Sequence, residues 1–191
     1  MPRLAPRRPG WIETIIGPMF SGKSDELIRR LNLAAIGYRY VAAFKPDIDS
    51  RFSETKIVSR TGAAIESHPL DLEDAEAILK KTNWGSYEVI GFDEAQFFGP
   101  YLIDICNELA DAGKRVVVAG LDTDYEGKPF ETVMGLVCTS EYVDKLLAVC
   151  VSCGEPASRT YRTVKSVTGR IAVGDSELYE ARCRFCLKEN T

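Results

Sequence analysis

The 191-residue chain contains a single histidine, and none of its apolar runs is long enough to cross a bilayer. A membrane-spanning protein is therefore not expected. Its first ten residues, Met1 to Gly10, are basic and proline-rich but have no apolar centre. That composition sets aside a secretory signal and predicts a disordered tail. Lys and Arg number 24 against 28 Asp and Glu, for a net charge of -4, and nowhere do they form a dense block. Neutralising a nucleic-acid backbone takes such a block, so small-molecule substrates are expected rather than nucleic acid. There is no internal repeat and no low-complexity segment beyond the tail. The length allows one full core with a small appendage, not two large domains. The six cysteines, without an export signal, belong in a reducing compartment such as the cytoplasm, where thiols stay free or take metal.

What is present is organised around eight residues. Gly17-Pro18-Met19-Phe20-Ser21-Gly22-Lys23-Ser24 has the form GxxxxGKS. Its glycines let the backbone curl until successive N–H groups point inward, and a following helix adds the positive end of its dipole. Such a loop holds anions. Lys23 then reaches the outer phosphates of a nucleoside triphosphate such as ATP, and the Ser24 hydroxyl suits Mg2+. The flanks agree with this reading. Trp11 to Ile16 is a short, largely β-branched run that predicts a buried first strand, and Asp25 to Ala35 carries Leu27, Leu31 and Ala34 on one helical stripe.

Downstream, strand and helix patterns alternate. Tyr40–Lys45, Tyr87–Asp93, Arg115–Ala119 and Tyr142–Val149 read as strands; Asp71–Leu79, Pro100–Ala112 and Phe130–Ser140 read as helices. Between Asp47 and Pro69 the period is lost, which predicts a long loop with a short strand at Lys56–Ser59. The alternation implies an α/β fold of the P-loop NTPase type: a mostly parallel sheet flanked by helices, with ligands at the carboxyl ends of the strands. Four strands end there in polar or glycine-rich segments, at Gly17, Pro46, Asp93 and Gly120. The expected division is a tail over residues 1–10, a P-loop α/β domain over 11–149 and a small zinc-clasped subdomain over 150–191.

An apolar strand ending in Asp93-Glu94 supplies the acidic partner of a phosphate loop, with Asp93 aimed at Mg2+ or its waters. Glu94 has two possible tasks, taking a proton from a hydroxyl substrate or orienting a water, and the residues leave both open. Asp49 and Arg51 follow the second strand; an arginine there stabilises charge on a transferred phosphoryl group or is simply solvated. Cys150-Val151-Ser152-Cys153 and Cys183-Arg184-Phe185-Cys186 are two CxxC knuckles. Four soft thiolates match tetrahedral Zn2+, and with all four positions filled no site remains to activate water. The zinc is expected to be structural, tying the base of a lasso from Gly154 to Arg182. Cys106 and Cys138 read as core residues. His68 precedes Pro69 in the loop and shows no sign of chemistry.

These residues converge on a known pattern. The GxxxxGKS loop, Phe44-Lys45-Pro46 with Asp49-Ser50-Arg51-Phe52, Asp93-Glu94-Ala95-Gln96-Phe97-Phe98, Gly120-Leu121-Asp122, Lys128-Pro129-Phe130 and the run from Val173 to Cys183 resemble type II thymidine kinases in order and spacing. The resemblance covers residue 11 to the end. It implies transfer of the γ-phosphate of ATP to the 5′-hydroxyl of thymidine, and of deoxyuridine, with Glu94 as general base. By the same resemblance Lys23 and Arg51 act on the phosphates, Gly17 through Ser24 with Asp49, Asp93 and Gln96 bind the donor, and Ser24 with Asp93 organises Mg2+. The thymine ring is expected against Met19, Phe97, Leu121, Tyr125, Phe130 and Thr160, closed over by Val173, Gly174 and Tyr179 of the lasso. Asp175 stands where many relatives have a second glycine, and Tyr125 where some have Phe. The family further implies a homotetramer, feedback inhibition by dTTP and a cytoplasmic place in nucleotide salvage. Two other readings use the same loop: a P-loop ATPase in which Glu94 orients water, and an ATP-switched, zinc-containing binding module.

Overall fold

Residues 10–37, 40–49, 53–164 and 177–188 are described by the computed structural model. Along the chain run β1 (Trp11–Gly17), α1 (Lys23–Gly37), β2 (Val41–Pro46), the hairpin of β3 (Lys56–Val58) and β4 (Ala64–Glu66), β5 (His68–Leu70), α2 (Ala75–Lys81), β6 (Val89–Phe92), α3 (Tyr101–Asp111), β7 (Arg115–Leu121), α4 (Glu131–Thr139) and β8 (Tyr142–Lys145). Six of the strands form one sheet in the order β5-β2-β6-β7-β1-β8, and every pairing in it is parallel.

The central strands are apolar on both faces, as a sheet covered on both sides requires. Period-2 alternation sends Ile12, Ile16, Val116, Val118, Ile90 and Phe92 to the face that packs on Leu102, Ile105 and Leu109 of α3 and Val133 and Leu136 of α4. The opposite face, with Ile15, Val117, Ala119 and Val89, packs on Leu27, Ile28 and Leu31 of α1. That helix lies close. A Cβ on Gly91 would come within 2.5 Å of the Leu31 side chain.

Beyond β8 come β9 (Ala148–Val149), β10 (Pro156–Ala157), β11 (Arg159–Arg162), β12 (Tyr179–Arg182) and α5 (Arg184–Lys188). β9 pairs antiparallel with β10, and β11 with β12. Among the described residues no helix is long and apolar enough to cross a membrane.

Five details differ from the sequence expectations. The run Tyr142–Val149 is not one strand: it leaves the sheet after the Leu146 N–H caps the Ile16 carbonyl at 2.8 Å, and Ala148–Val149 joins a different sheet. His68–Leu70, expected as loop, is a sheet-edge strand, where the missing N–H of Pro69 is tolerated. The helix expected from Asp71 begins at Ala75, because the Asp71 carboxylate instead accepts the Glu73 N–H at 2.9 Å in a turn. Gly10 is not part of a tail: its N–H donates to the Ala110 carbonyl at 2.8 Å, while residues 1–9 lie outside the described residues. Cys106 is buried as expected but Cys138 is exposed, since α4 buries Thr132, Val133 and Leu136 and turns Cys138 away.

Candidate active site

The strands β2, β6, β7 and β1 are neighbours, so the segments leaving their carboxyl ends converge on one cavity of about 410 Å3. The phosphate loop forms one wall. Gly17 allows it to pass close to β8, for a Cβ there would lie 2.4 Å from the Leu146 carbonyl oxygen. Gly22 adopts φ +81°, which favours glycine. α1 begins at Lys23, two residues earlier than its apolar stripe suggests, so Lys23 and Ser24 both sit in its first turn. The Lys23 ammonium and the Ser21 hydroxyl each donate to the Pro18 carbonyl at 2.8 Å.

Opposite the loop, the Ser24 hydroxyl donates to Asp93 Oδ1 at 3.3 Å, and the Glu94 N–H donates to the same oxygen at 3.0 Å. Asp93 is buried. Burial, reinforced by the nearby charge of Glu94, pushes its carboxyl up to about 7 against the pull of those two hydrogen bonds. A divalent cation beside Ser24 and Asp93 would remove that penalty, so these oxygens fit a magnesium ion. Glu94 itself is left-handed, φ 52° and ψ 43°. The left-handed region costs a non-glycine residue about 1 kcal/mol or more, and among the described residues only Phe20, φ 68°, shares this feature. Both line the cavity.

The Glu94 side chain is held by its neighbour. The Leu121 N–H at the end of β7 donates to Gln96 Oε1 at 2.9 Å, which fixes the amide with Nε2 toward Glu94, and that nitrogen donates to Glu94 Oε2. Backbone geometry thus sets the direction of the carboxylate. On the next strand, the buried Lys45 ammonium donates to the Asp49 carbonyl at 2.7 Å and to that of Ser53, bringing Asp49 to the cavity wall. Arg51 lies outside the described residues.

The rest of the lining mixes apolar and polar side chains. Met19, Phe97, Leu121, Tyr125 and Phe130 contribute from the body of the sheet, and Thr160 of β11 with Tyr179 of β12 from the C-terminal segment. Thr160 also ties this segment to the phosphate loop, accepting the Met19 N–H at 3.0 Å. Val173 and Gly174 lie outside the described residues.

Two contributors escaped the sequence reading. The tip of the β3–β4 hairpin, Ser59 to Thr61, lines the cavity; the Arg60 guanidinium sits 4.3 Å from the Phe20 ring centroid, and the Thr61 hydroxyl donates to Asp25. Its signal was Thr61-Gly62 between Ile57-Val58 and Ala64-Ile65, a turn dipeptide flanked by two apolar pairs. Asp124 is buried and accepts the N–H groups of Glu126 at 3.0 Å and Lys128 at 2.9 Å, closing the loop that carries Tyr125.

In the C-terminal segment the sulfurs of Cys150, Cys153, Cys183 and Cys186 all lie within 4.8 Å of one another. The Cys153 and Cys183 sulfurs are 3.7 Å apart, against about 3.8 Å between two corners of a tetrahedron with Zn–S bonds of about 2.3 Å. Backbone N–H groups, that of Cys183 foremost, pull the Cys150 thiol down to about 6 against desolvation. The donor set is compatible with structural zinc. Phe20 of the phosphate loop packs against this cluster.

A family model described as thymidine kinase matches residues 10–187. The chain belongs to the thymidine kinase family. It is 48% identical over 179 residues to the thymidine kinase of Rhodothermus sp. (strain ITI 518), covering 94% of this chain and 82% of that protein. Against the thymidine kinase of Bdellovibrio bacteriovorus identity is 48% over 176 residues, covering 92% and 84%. The match to the thymidine kinase model takes in both the phosphate loop and the four cysteines. Among solved structures, the Pif1 helicase from Candida albicans gives a TM-score of 0.45 at 16% identity, covering 72% of this chain and 36% of that one.

Proposed function

We propose that this chain is a thymidine kinase that transfers the γ-phosphate of ATP to the 5′-hydroxyl of thymidine, and of deoxyuridine, in cytoplasmic nucleotide salvage. One observation carries the reading: Lys23, Ser24, Asp93 and Glu94 line the same cavity as Thr160 and Tyr179 of the cysteine-bearing segment. A phosphate donor on the loop and a nucleoside on the segment would then meet at Glu94. The Glu94 carboxylate, aimed by Gln96, takes the proton of the attacking hydroxyl. Lys23 leaves its carbonyl partner for the donor's outer phosphates, with Arg51 and Asp49 beside them. Magnesium held through Ser24 and Asp93, directly or through water, would offset the phosphate charge. Apolar side chains at Met19, Phe97, Leu121 and Phe130 exclude water, and Tyr125, Thr160, Val173, Gly174 and Tyr179 surround the base.

In this reading residues 11–149 are the catalytic body and 150–191 an arm ordered by zinc at the four cysteines. Assembly as a homotetramer and inhibition by dTTP belong to the same proposal. The binding-module alternative loses support because basic residues of the arm are engaged inside the molecule, Arg182 with Glu180 at 2.6 Å and Arg162 with the rings of Tyr125 and Tyr179. The test is transfer of labelled phosphate from ATP to a panel of nucleosides, with release of free phosphate measured in parallel. Labelled dTMP and dUMP are the expected products; phosphate release without nucleoside product would replace the kinase reading with the ATPase one. Metal analysis should return about one zinc per chain.

A further inference from the structure

Arg162 ends β11 and stands opposite Tyr179 in the antiparallel register with β12. Its guanidinium lies 3.8 Å from the centroid of the Tyr125 ring and 5.6 Å from that of Tyr179, and Nη2 donates to the Tyr179 hydroxyl at 3.2 Å. Both rings line the cavity. They come from distant parts of the chain: Tyr125 sits on the loop between β7 and α4, and Tyr179 on the C-terminal strand pair. A planar cation is attracted to the face of the ring beneath it, here Tyr125, and its fixed fork leaves Nη2 directed at the Tyr179 hydroxyl. The Tyr125 loop is itself tied back by Asp124 and by the bridge of Thr123 to Pro129. Arg162 therefore joins this loop of the α/β body to the strand that brings Tyr179 to the cavity.

Resting on the reading that this part of the cavity takes the nucleoside, we infer that Arg162 is a positioning residue for nucleoside recognition, acting through Tyr125 and Tyr179. An aromatic ring, rather than an aliphatic side chain, at position 125 gives the guanidinium its platform. The ring supplies that platform, while the phenol hydroxyl is directed away to Glu126 at 3.4 Å.

Kinetics of Arg162→Gln test the inference. The KM for thymidine is expected to rise about tenfold, with kcat changed less than about threefold and the KM for ATP within about twofold. Arg162→Lys keeps the charge without the planar fork and should fall between parent and Gln variant. In the double variant with Tyr125→Leu the two losses should not multiply, because each removes the same contact. Zinc content and melting temperature, measured alongside, show that the arm stays folded; if Arg162→Gln fails to fold, Arg162→Lys and Tyr125→Leu carry the same comparison. Equal rises in both KM values, a fall confined to kcat, multiplicative losses in the double variant, or no change would each overturn the inference. A parent protein that neither binds nor phosphorylates any nucleoside would overturn the function reading and this inference with it, whereas an active parent and an unaltered Arg162→Gln would overturn this inference alone.

Discussion

Two clusters of carboxylates occupy opposite ends of the same sheet, and they are built in opposite ways. Toward the amino end, Glu13 of β1 accepts from Arg115 Nε at 2.6 Å and Nη2 at 3.1 Å, from Arg30 at 2.8 Å and from the Trp11 indole at 2.7 Å. Burial would raise its carboxyl, but the hydrogen bonds from Arg115, Trp11 and Arg30 hold it below the ordinary range. At the carboxyl end Asp93 is just as buried, yet its partners are a hydroxyl and a backbone N–H, and a second carboxylate follows it in sequence. Its carboxyl goes up instead. Chemically identical groups are thus treated differently: the first is compensated and holds strands to helix, while the second is uncompensated, which suits the proposed role of holding a cation that arrives with a ligand.

The sharpest break between the two clusters should appear in turnover. Glu94→Gln keeps the shape of the side chain and a partner for Gln96 but cannot take a proton. Turnover is expected to fall on the order of a thousandfold while the KM for ATP stays within about threefold. Steady-state rates with thymidine and ATP check this, and a loss below about tenfold would remove Glu94 from the base role. Glu13→Gln should do the reverse. Removing one charge from a compensated buried cluster strands the Arg115 guanidinium, and about 3 kcal/mol of stability is expected to be lost in denaturant titrations, with kcat nearly unchanged. A large kcat effect from Glu13 would erase the distinction between the two ends.

How much of this could be read without coordinates depended on the range of the interaction. The phosphate loop, the Asp93-Glu94 strand end and the paired CxxC knuckles are local patterns, each carried by a few consecutive residues, and all were legible. The central parallel strands were too, because burial on both faces leaves continuous apolar runs. Of the short elements, β3 was expected at Lys56–Ser59, but its partner β4 and the edge strand β5 with Pro69 have too few residues to show a period. Contacts between distant segments left no local signal: the resemblance gathered Met19, Tyr125 and Thr160 around one ring, but neither the hydrogen bond of Met19 with Thr160, 141 residues apart, nor Arg162 on Tyr125 was foreseen. The left-handed backbone of Glu94 is likewise invisible, since the sequence offers no glycine to mark it. Cys138 was misplaced because a helix of nine residues buries a narrow stripe that apolar content alone does not locate.

The smallest effect expected is also the most direct reading of the Asp93 environment. A carboxyl whose folded value is about 7, against an ordinary 3.8, makes the folded state bind more protons than the unfolded state between those two values. Stability from this group therefore falls as pH rises through that window, the reverse of what Glu13 contributes, and the full cost is present above pH 7. Asp93→Asn cannot ionise. In protein free of nucleotide and magnesium the variant should match the parent near pH 4 and become the more stable of the two as pH rises to 8, as thermal or denaturant unfolding would measure. Adding ATP and magnesium should then stabilise the parent more than the variant, because the ionised pair gains its cation only there. A difference that is flat with pH, or a variant that loses stability at pH 8, would mean that Asp93 is already compensated and that the two ends of the sheet differ less than their partners suggest.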